Sequence, residues 1–440
     1  MSLKERLQRG PSIPPPPGGA VALSANYAEI KTRIHTQLIS ALDLSALDRL
    51  SQSELQSELR RNIEHLADAA ALPLNRLERE QLVTDIVYEV TGLGPLEPLL
   101  ADPSISDILV NGPHSVYVER GGVLSRTAVQ FKDNGHLMRI IDRIVARVGR
   151  RVDEGSPMAD ARLPDGSRVN VIIPPLALDG PVMSIRRFGA RPLQAQDLVS
   201  KGALTQPMLE FLSAVVAAKL NVLVSGGTGT GKTTLLNALS SFIPHNERVV
   251  TVEDAAELQL QQPHVVRLET RPPNVEGRGE IRARELVVNS LRMRPDRIVV
   301  GEVRGVEVLD MLQAMNTGHD GSMTTIHANS TRDALNRLLM MAGMSQAQFS
   351  ESLMKQSVSR AINIIVQLQR FSDGTRRVVS ITEITGMESD VVAMQDIFVF
   401  QARGVDANGR IAGEFRTTGI RPQCMRRIEA AGYNFQGGLR

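Results

Sequence analysis

One cysteine, Cys424, stands in a chain of 440 residues. A single thiol excludes an intramolecular disulfide framework and any four-cysteine metal site, and it suits a reducing compartment. Aromatic residues make up only 3% of the chain, and 50 Lys plus Arg nearly cancel 48 Asp plus Glu, leaving a net charge of +2. These two shortages argue against a large nucleic-acid surface and confine any basic surface to a local patch. No apolar run reaches the roughly 18 residues of a transmembrane helix. Lys4, Glu5 and Arg6 stand where a signal peptide would need apolar residues. The expectation is a cytoplasmic chain that meets a membrane only through partners. The rest of the composition is ordinary, 42% hydrophobic and 22% charged. That is enough to fill about two to four domains of roughly 100–200 residues each.

Residues 1–25 read as a disordered tail: Pro11 and Pro14 to Pro17 favour polyproline II, and Gly18 and Gly19 follow. Residues 26–92 carry three apolar stripes at helical spacing. They are Tyr27/Ile30/Ile34/Leu38/Leu42, Leu55/Leu59/Ile63/Leu66 and Leu82/Ile86/Val90. They predict a helical module that packs on itself or on a partner. Residues 93–190 predict a mixed α/β domain. Its strands lie around Ile108–Val110, Val116–Val118 and Val182–Ile185, with a hairpin turning at Pro164-Asp165-Gly166 and a helix through Ile140–Val145. Over residues 191–440 apolar strands alternate with helices, the pattern of a largely parallel sheet. Strands are expected at Val222–Ser225, Val249–Val252, Ile298–Gly301 and Met323–Ile326, with added strands at Ile362–Leu368 and Arg377–Ile384. Residues 400–440 offer no usable motif.

Gly226-Gly227-Thr228-Gly229-Thr230-Gly231-Lys232-Thr233 is a complete P-loop pattern between a predicted strand and a predicted helix over Lys232–Ser241, with Thr234 and Leu235 directly after the motif. The glycines let successive N–H groups converge on phosphate oxygens, and the helix that follows presents its positive end to them. Lys232 would reach the β- and γ-phosphates of ATP, and the Thr233 hydroxyl would ligate Mg²⁺. Lys232 is expected to be an exposed loop residue, so that its removal spares the fold. Two acidic clusters follow apolar strands, Glu253-Asp254-Ala255-Ala256-Glu257 and Val300-Gly301-Glu302. Acids at the carboxyl ends of parallel strands can face a bound phosphate. A third cluster, Gly318 to Asn329, places His319 and His327 on either side of a strand. It shows no third metal ligand, and one histidine is expected to sense the γ-phosphate or orient water.

In this order the clusters resemble the secretion ATPase superfamily that drives type II secretion, type IV pili and type IV secretion. Its Walker A, Asp box, Walker B and His box would be Gly226–Thr233, Glu253–Glu257, Ile298–Glu302 and Gly318–His327. The segments Ser104–Gly112, Arg271–Glu280, Leu291–Arg297 and Met311–Asn316 look like the CpaF-type ATPases of tight-adherence (Flp) pili. The fold class implied is α/β. A RecA-like P-loop domain with a largely parallel sheet follows a mixed α/β domain and an N-terminal helical module.

The resemblance implies a homo-hexamer with ATP between subunits, lying under an inner-membrane pilus platform at the cytoplasmic face of a bacterial membrane. It implies that Arg168 and Arg186, with Arg162 beside them, complete a neighbour's site at the γ-phosphate. Glu257 is expected to position or deprotonate water, Glu302 to hold Mg²⁺ through water, and Glu253 and His327 to serve the same chemistry. A hinge is expected near Arg187–Leu193. The function expected is ATP-driven assembly of a tight-adherence pilus, with retraction as the other direction left open. The alternatives are a type IV secretion ATPase exporting effectors or DNA, a nucleic-acid translocase, and a scaffold that binds ATP without using it.

Overall fold

In the computed structural model, placement is described for residues 27–41, 51–70, 72–187, 193–273, 278–344, 350–406, 409–433 and 435. The tail expected at 1–25, Leu42 of the first stripe, positions 188–192 of the expected hinge and residues 274–277 lie outside them. The chain divides into two compact units, Met1–Phe188 and Gly189–Arg440.

In the first unit, α1 (Tyr27–Ala41), α2 (Gln52–Ala69) and α3 (Arg76–Thr91) form a small bundle. Ser51 with Glu54, and Asn75 with Glu78, close reciprocal caps on α2 and α3. Each cap satisfies two N–H groups that a helix start leaves open. The predicted stripes meet one another: Ile34, Leu38, Leu59, Ile63, Leu82 and Ile86 are fully buried together. The module therefore packs on itself. The short α4 (Glu97–Ala101) leads into β1 (Ile105–Asn111), β2 (Val116–Arg120) and β3 (Val123–Arg126). Then come α5 (Asn134–Arg147), β4 (Met158–Arg162), β5 (Arg168–Ile172) and β6 (Val182–Arg186). The strands form one antiparallel sheet, in the order β3-β2-β1-β6-β5-β4. Leu137, Ile140, Ile141 and Ile144 of α5 share its core with Val110, Val171 and Ile185.

A buried ionic joint ties the bundle to this sheet. Glu89 of α3 accepts from Lys31 Nζ at 3.0 Å and lies 2.8 Å from His136 Nε2. The Arg143 guanidinium donates to the carbonyls of Glu89 and Gly92. Burial by itself would raise the Glu89 pKa, but the hydrogen bonds and charges of His136 and Lys31 outweigh it and bring the carboxyl to about 2.

The second unit opens with α6 (Ala195–Ser200) and α7 (Gln206–Ala217), then β7 (Val222–Gly226) and α8 (Lys232–Ser240). Next are β8 (Val249–Glu253), β9 (Val265–Glu269), α9 (Ala283–Ser290), β10 (Arg297–Val300) and α10 (Glu307–Asn316). The unit continues through β11 (Met323–Ile326), α11 (Thr331–Gly343) and α12 (Glu351–Ala361). It ends with β12 (Ile364–Arg370), β13 (Arg376–Glu388), β14 (Val391–Val405), β15 (Ile411–Thr417) and α13 (Met425–Ala430). Among the described residues one sheet runs β15-β14-β13-β12-β7-β11-β10-β8-β9. From β12 to β9 every pairing is parallel, and β13, β14 and β15 add an antiparallel edge. The expected α/β class with a largely parallel sheet is what forms. β7 sits inside the sheet, and all five of its residues are buried.

Under the amino ends of the strands lies Arg297, with no exposed surface. Its Nε and Nη2 donate to the Glu247 carboxylate at 2.5 and 3.4 Å, and Nη1 donates to the carbonyls of Val216 and Gly321 at 2.6 and 3.3 Å. Lys219 Nζ stands 3.5 Å from the same carboxylate. Burying a charge is costly unless it is paired and hydrogen-bonded, and here both conditions are met.

Candidate active site

The parallel strands β7, β8, β10 and β11 end on one edge of the sheet, and the predicted clusters follow from those ends. β7 runs into Gly226–Gly231, where Gly229 (φ +68°) and Gly231 (φ +94°) adopt the left-handed backbone. Helix α8 then begins at Lys232. This is the strand–nest–helix geometry that an anionic phosphate fits: N–H groups converge in the loop and a helix start adds positive potential. Thr228 is exposed at the tip, Gly227 is half-buried, and Thr233 and Thr234 lie half-buried in the first turn of α8. Thr230 Oγ1 donates to the Gly227 carbonyl at 3.0 Å.

Lys232 corrects one expectation. It is 7% exposed, not an exposed loop residue. Its ammonium donates to the carbonyls of Gly226 and Gly227 at 3.0 and 2.9 Å and lies 3.4 Å from both ring nitrogens of His327. The His327 Nε2 is in turn 3.1 Å from Glu302 Oε1. Burial, with the charges of Lys232, Arg304 and Arg337, lowers the pKa of His327 against the pull of Glu302. The ring is therefore neutral at pH 7. A neutral ring keeps a nitrogen lone pair that can accept from the Lys232 ammonium, which stands at the same distance from both ring nitrogens. A continuous Lys232–His327–Glu302 contact thus links Walker A to Walker B. His319 is at the other end of β11, away from the loop.

The acids are joined by a residue that the sequence reading left aside. Arg304 Nη2 donates to Glu302 Oε2 at 2.8 Å, and Nη1 lies 3.3 Å from Asp254 Oδ2. The hydrogen bond that Arg304 donates to Glu302, and the charges of Glu302, Asp254 and Glu257, raise the Arg304 pKa against its burial. One guanidinium therefore gathers the Asp box and the Walker B acid. Glu257 is half-buried on the loop after β8. Glu253, at the end of β8, is 5% exposed. Its Oε2 accepts from the N–H groups of Glu257 and Leu258 at 2.7 and 3.0 Å and so ties that loop. Burial raises its pKa against those hydrogen bonds.

Gly301 makes this packing possible. A Cβ at that position would stand 2.8 Å from Glu253 Cγ, so the glycine before Glu302 is a steric requirement of the neighbouring acid. Ser225 Oγ, Thr251 Oγ1 and Glu253 Oε1 are buried without a hydrogen-bond partner among the described residues. Orphaned polar atoms of this kind, beside a phosphate nest and paired acids, suit a site that takes a hydrated, charged ligand. Thr233 lies in the first turn of α8 and Glu302 follows β10, so each brings an oxygen to this edge of the sheet.

Two more cations reach the loop from the β12–β13 turn, and sequence reasoning missed both. Arg376 Nε donates to the Gly229 carbonyl at 2.8 Å. Arg370 places Nη1 3.3 Å from where a Cβ on Gly229 would stand.

The arginines expected to act in trans lie in the first unit. Cross-strand register sets Arg162 opposite Arg168, Arg168 opposite Arg186, and Arg186 opposite Asp107. Directly opposed residues share a sheet face, and the alternate positions Val169, Val171, Met183 and Ile185 are buried. Three guanidinium groups therefore stand abreast on the outer face. Like charges in register disfavour the sheet, and the Asp107 carboxylate stands at the end of the row opposite Arg186.

A family profile described as "Type II/IV secretion system protein" matches residues 89–418, and one described as "Type II secretion system protein E, N-terminal domain" matches residues 27–91. A putative conjugal transfer protein of Mycobacterium tuberculosis is 39% identical over 315 residues, covering 70% of this chain and 88% of that protein. The conjugal transfer protein TrbB of Rhizobium radiobacter is 31% identical over 302 residues, 66% of this chain and 87% of its own. Among solved structures, the VirB11 ATPase of the Brucella suis type IV secretion system is 28% identical, with a TM-score of 0.36 over 65% of this chain and 94% of its own. Among the described residues, no helix is long and apolar enough to cross a membrane.

Proposed function

Because this chain belongs to the type II/IV secretion system protein family and carries the core of an ATP-hydrolysing P-loop enzyme, we propose that it is the ring-forming motor of a type IV secretion machine. In this reading it works with ATP and Mg²⁺ as a homo-hexamer at the cytoplasmic face of a bacterial inner membrane, held there by platform proteins. The observation that carries it is the unbroken contact from Lys232 through His327 to Glu302, with Arg304 joining Glu302 to the Asp box.

When ATP is bound, Lys232 leaves the loop carbonyls for the β- and γ-phosphates, and the N–H groups of Gly227 to Thr234 hold the phosphate chain. Thr233 and Glu302 are the residues that would hold Mg²⁺, and the ion would supply charge neutralisation for the transferred phosphoryl group. Glu257 orients the attacking water and takes its proton as the γ-phosphoryl group passes to that water and ADP departs. Glu253 keeps the loop bearing Glu257 in place. His327 loses one neighbour when Lys232 moves, so Glu302 feels the arrival of the γ-phosphate. Arg168 and Arg186 of a neighbouring subunit supply the charge that completes the site.

Relatives named for conjugal transfer and type IV secretion favour export of DNA or effectors. A second reading, assembly of a tight-adherence pilus, is favoured by the segments Arg271–Glu280 and Leu291–Arg297. Deleting the chain in its host and restoring it as wild type or as Glu302→Gln tests both. Loss of DNA or effector transfer with filaments intact supports export, and loss of surface filaments supports the pilus. A Glu302→Gln chain that restores either phenotype fully would refute a motor driven by hydrolysis.

A further inference from the structure

Arg376 touches the P-loop from 147 positions away in sequence. Its Nε donates to the carbonyl of Gly229, the left-handed residue at the centre of the loop. The peptide group is planar and trans, so the C=O of Gly229 and the N–H of Thr230 point in opposite directions from one plane. Fixing that carbonyl outward on Arg376 fixes the Thr230 N–H inward, toward the phosphate nest. Gly229 could otherwise turn this plane at little cost, because glycine populates several backbone regions.

The turn that carries Arg376 is built to hold it. Asp373 accepts from the Thr375 N–H and hydroxyl at 2.9 and 2.6 Å, and from the Ile411 N–H of β15 at 2.7 Å. Arg377 donates to the Ile411 carbonyl at 2.9 Å and lies over the Phe400 ring at 4.6 Å. The antiparallel edge of the sheet thus braces the side chain that holds the Gly229 carbonyl.

Building on the ATPase reading above, we propose that Arg376 is a positioning residue for nucleotide binding. It pre-orients the Gly229–Thr230 peptide for the phosphates and takes no part in the hydrolytic step. The test compares wild type, Arg376→Ala and Arg376→Lys by binding of a fluorescent ribose-labelled ATP and by steady-state hydrolysis. A charge-assisted hydrogen bond is at stake, so Arg376→Ala is expected to weaken binding and raise KM by about tenfold. Its kcat at saturating ATP should stay within about twofold, because Lys232, Glu302 and Glu257 are untouched. Arg376→Lys should recover much of the affinity, since an ammonium can still donate to a carbonyl.

Arg376 is exposed, so the melting temperature should hardly move. Unchanged affinity in Arg376→Ala, a loss confined to kcat, or no recovery in Arg376→Lys would each overturn the proposal. Wild type that binds no nucleotide would instead refute the ATPase reading itself.

Discussion

Replacing Arg297 with methionine should destabilise the second unit severely, and the structure sets the scale. Arg297 is fully buried and makes four hydrogen bonds, two of them to Glu247. Methionine fills similar space but leaves a carboxylate with only 9% of its side chain exposed and Lys219 at 3.5 Å as its remaining cation. Breaking a buried pair from one side costs about 3–5 kcal/mol, because one charge stays behind. In a unit of roughly 250 residues each kcal/mol is worth about 2–4 °C, so the melting temperature should fall by about 6–20 °C. Adding Glu247→Leu removes the stranded charge. Only the carbonyls of Val216 and Gly321 then lack a donor, at about 1 kcal/mol each, so the double variant should come back to within about 2 kcal/mol of wild type. Thermal melts of the wild type, the single variant and the double variant measure this directly. ATP hydrolysis at 20 °C shows whether the refilled core still carries β10 to Glu302. A single variant costing less than about 1 kcal/mol, or a double variant no better than the single, would refute the reasoning.

Three further outcomes are expected. Glu257→Gln should bind ATP and hydrolyse it about a hundredfold or more slowly by phosphate release, and normal turnover would remove Glu257 from its role. Arg168→Ala or Arg186→Ala should lose hydrolysis yet regain part of it when mixed with Lys232→Ala subunits; no recovery at any ratio would favour a site within one chain. The Glu89 carboxyl sits at about 2 when folded, against an ordinary value of 4.5. Its contribution of about 3 kcal/mol is therefore complete above the ordinary value and lost as pH falls from there toward 2. Melts between pH 3 and 7 should show a steeper acid loss in wild type than in Glu89→Gln, and equal slopes would refute the pairing.

The parts of the site that were legible in the sequence are short and contiguous. The P-loop, the acids after β8 and β10, and His327 after β11 each follow an apolar strand, and parallel strands bring their carboxyl ends together by topology. What stayed hidden depends on contacts across long separations. The link of Arg304 to Asp254 needs β8 and β10 side by side. Arg376 and Arg370 reach the loop only because β12 pairs beside β7. The burial of Lys232 was missed because a loop lysine is ordinarily solvated, whereas here two loop carbonyls and His327 enclose it.

β9 escaped notice because it is an edge strand with mostly half-exposed residues. β14 and β15 escaped because their outer halves bury almost nothing that would set an alternation. Three helices were legible at 26–92, but not that Glu89 and the Gly92 carbonyl hold His136 and Arg143 of the following domain.

The arginine row on β4, β5 and β6 has a consequence for which changes this chain can survive. Strand side chains alternate with a period of two, so losing or gaining one residue in β5 would turn Arg168 into the core and Val169 outward. Fold and charge would fail together. A two-residue slip would keep the apolar face inward and bring Asn170 to the position of Arg168, giving a folded protein with a gap in its cation row. Insertions and deletions in the hairpin at Leu163–Ser167 are therefore sorted by parity. Odd changes that pass into the strand are lost as misfolded chains, and even ones persist as well-made subunits that carry the gap.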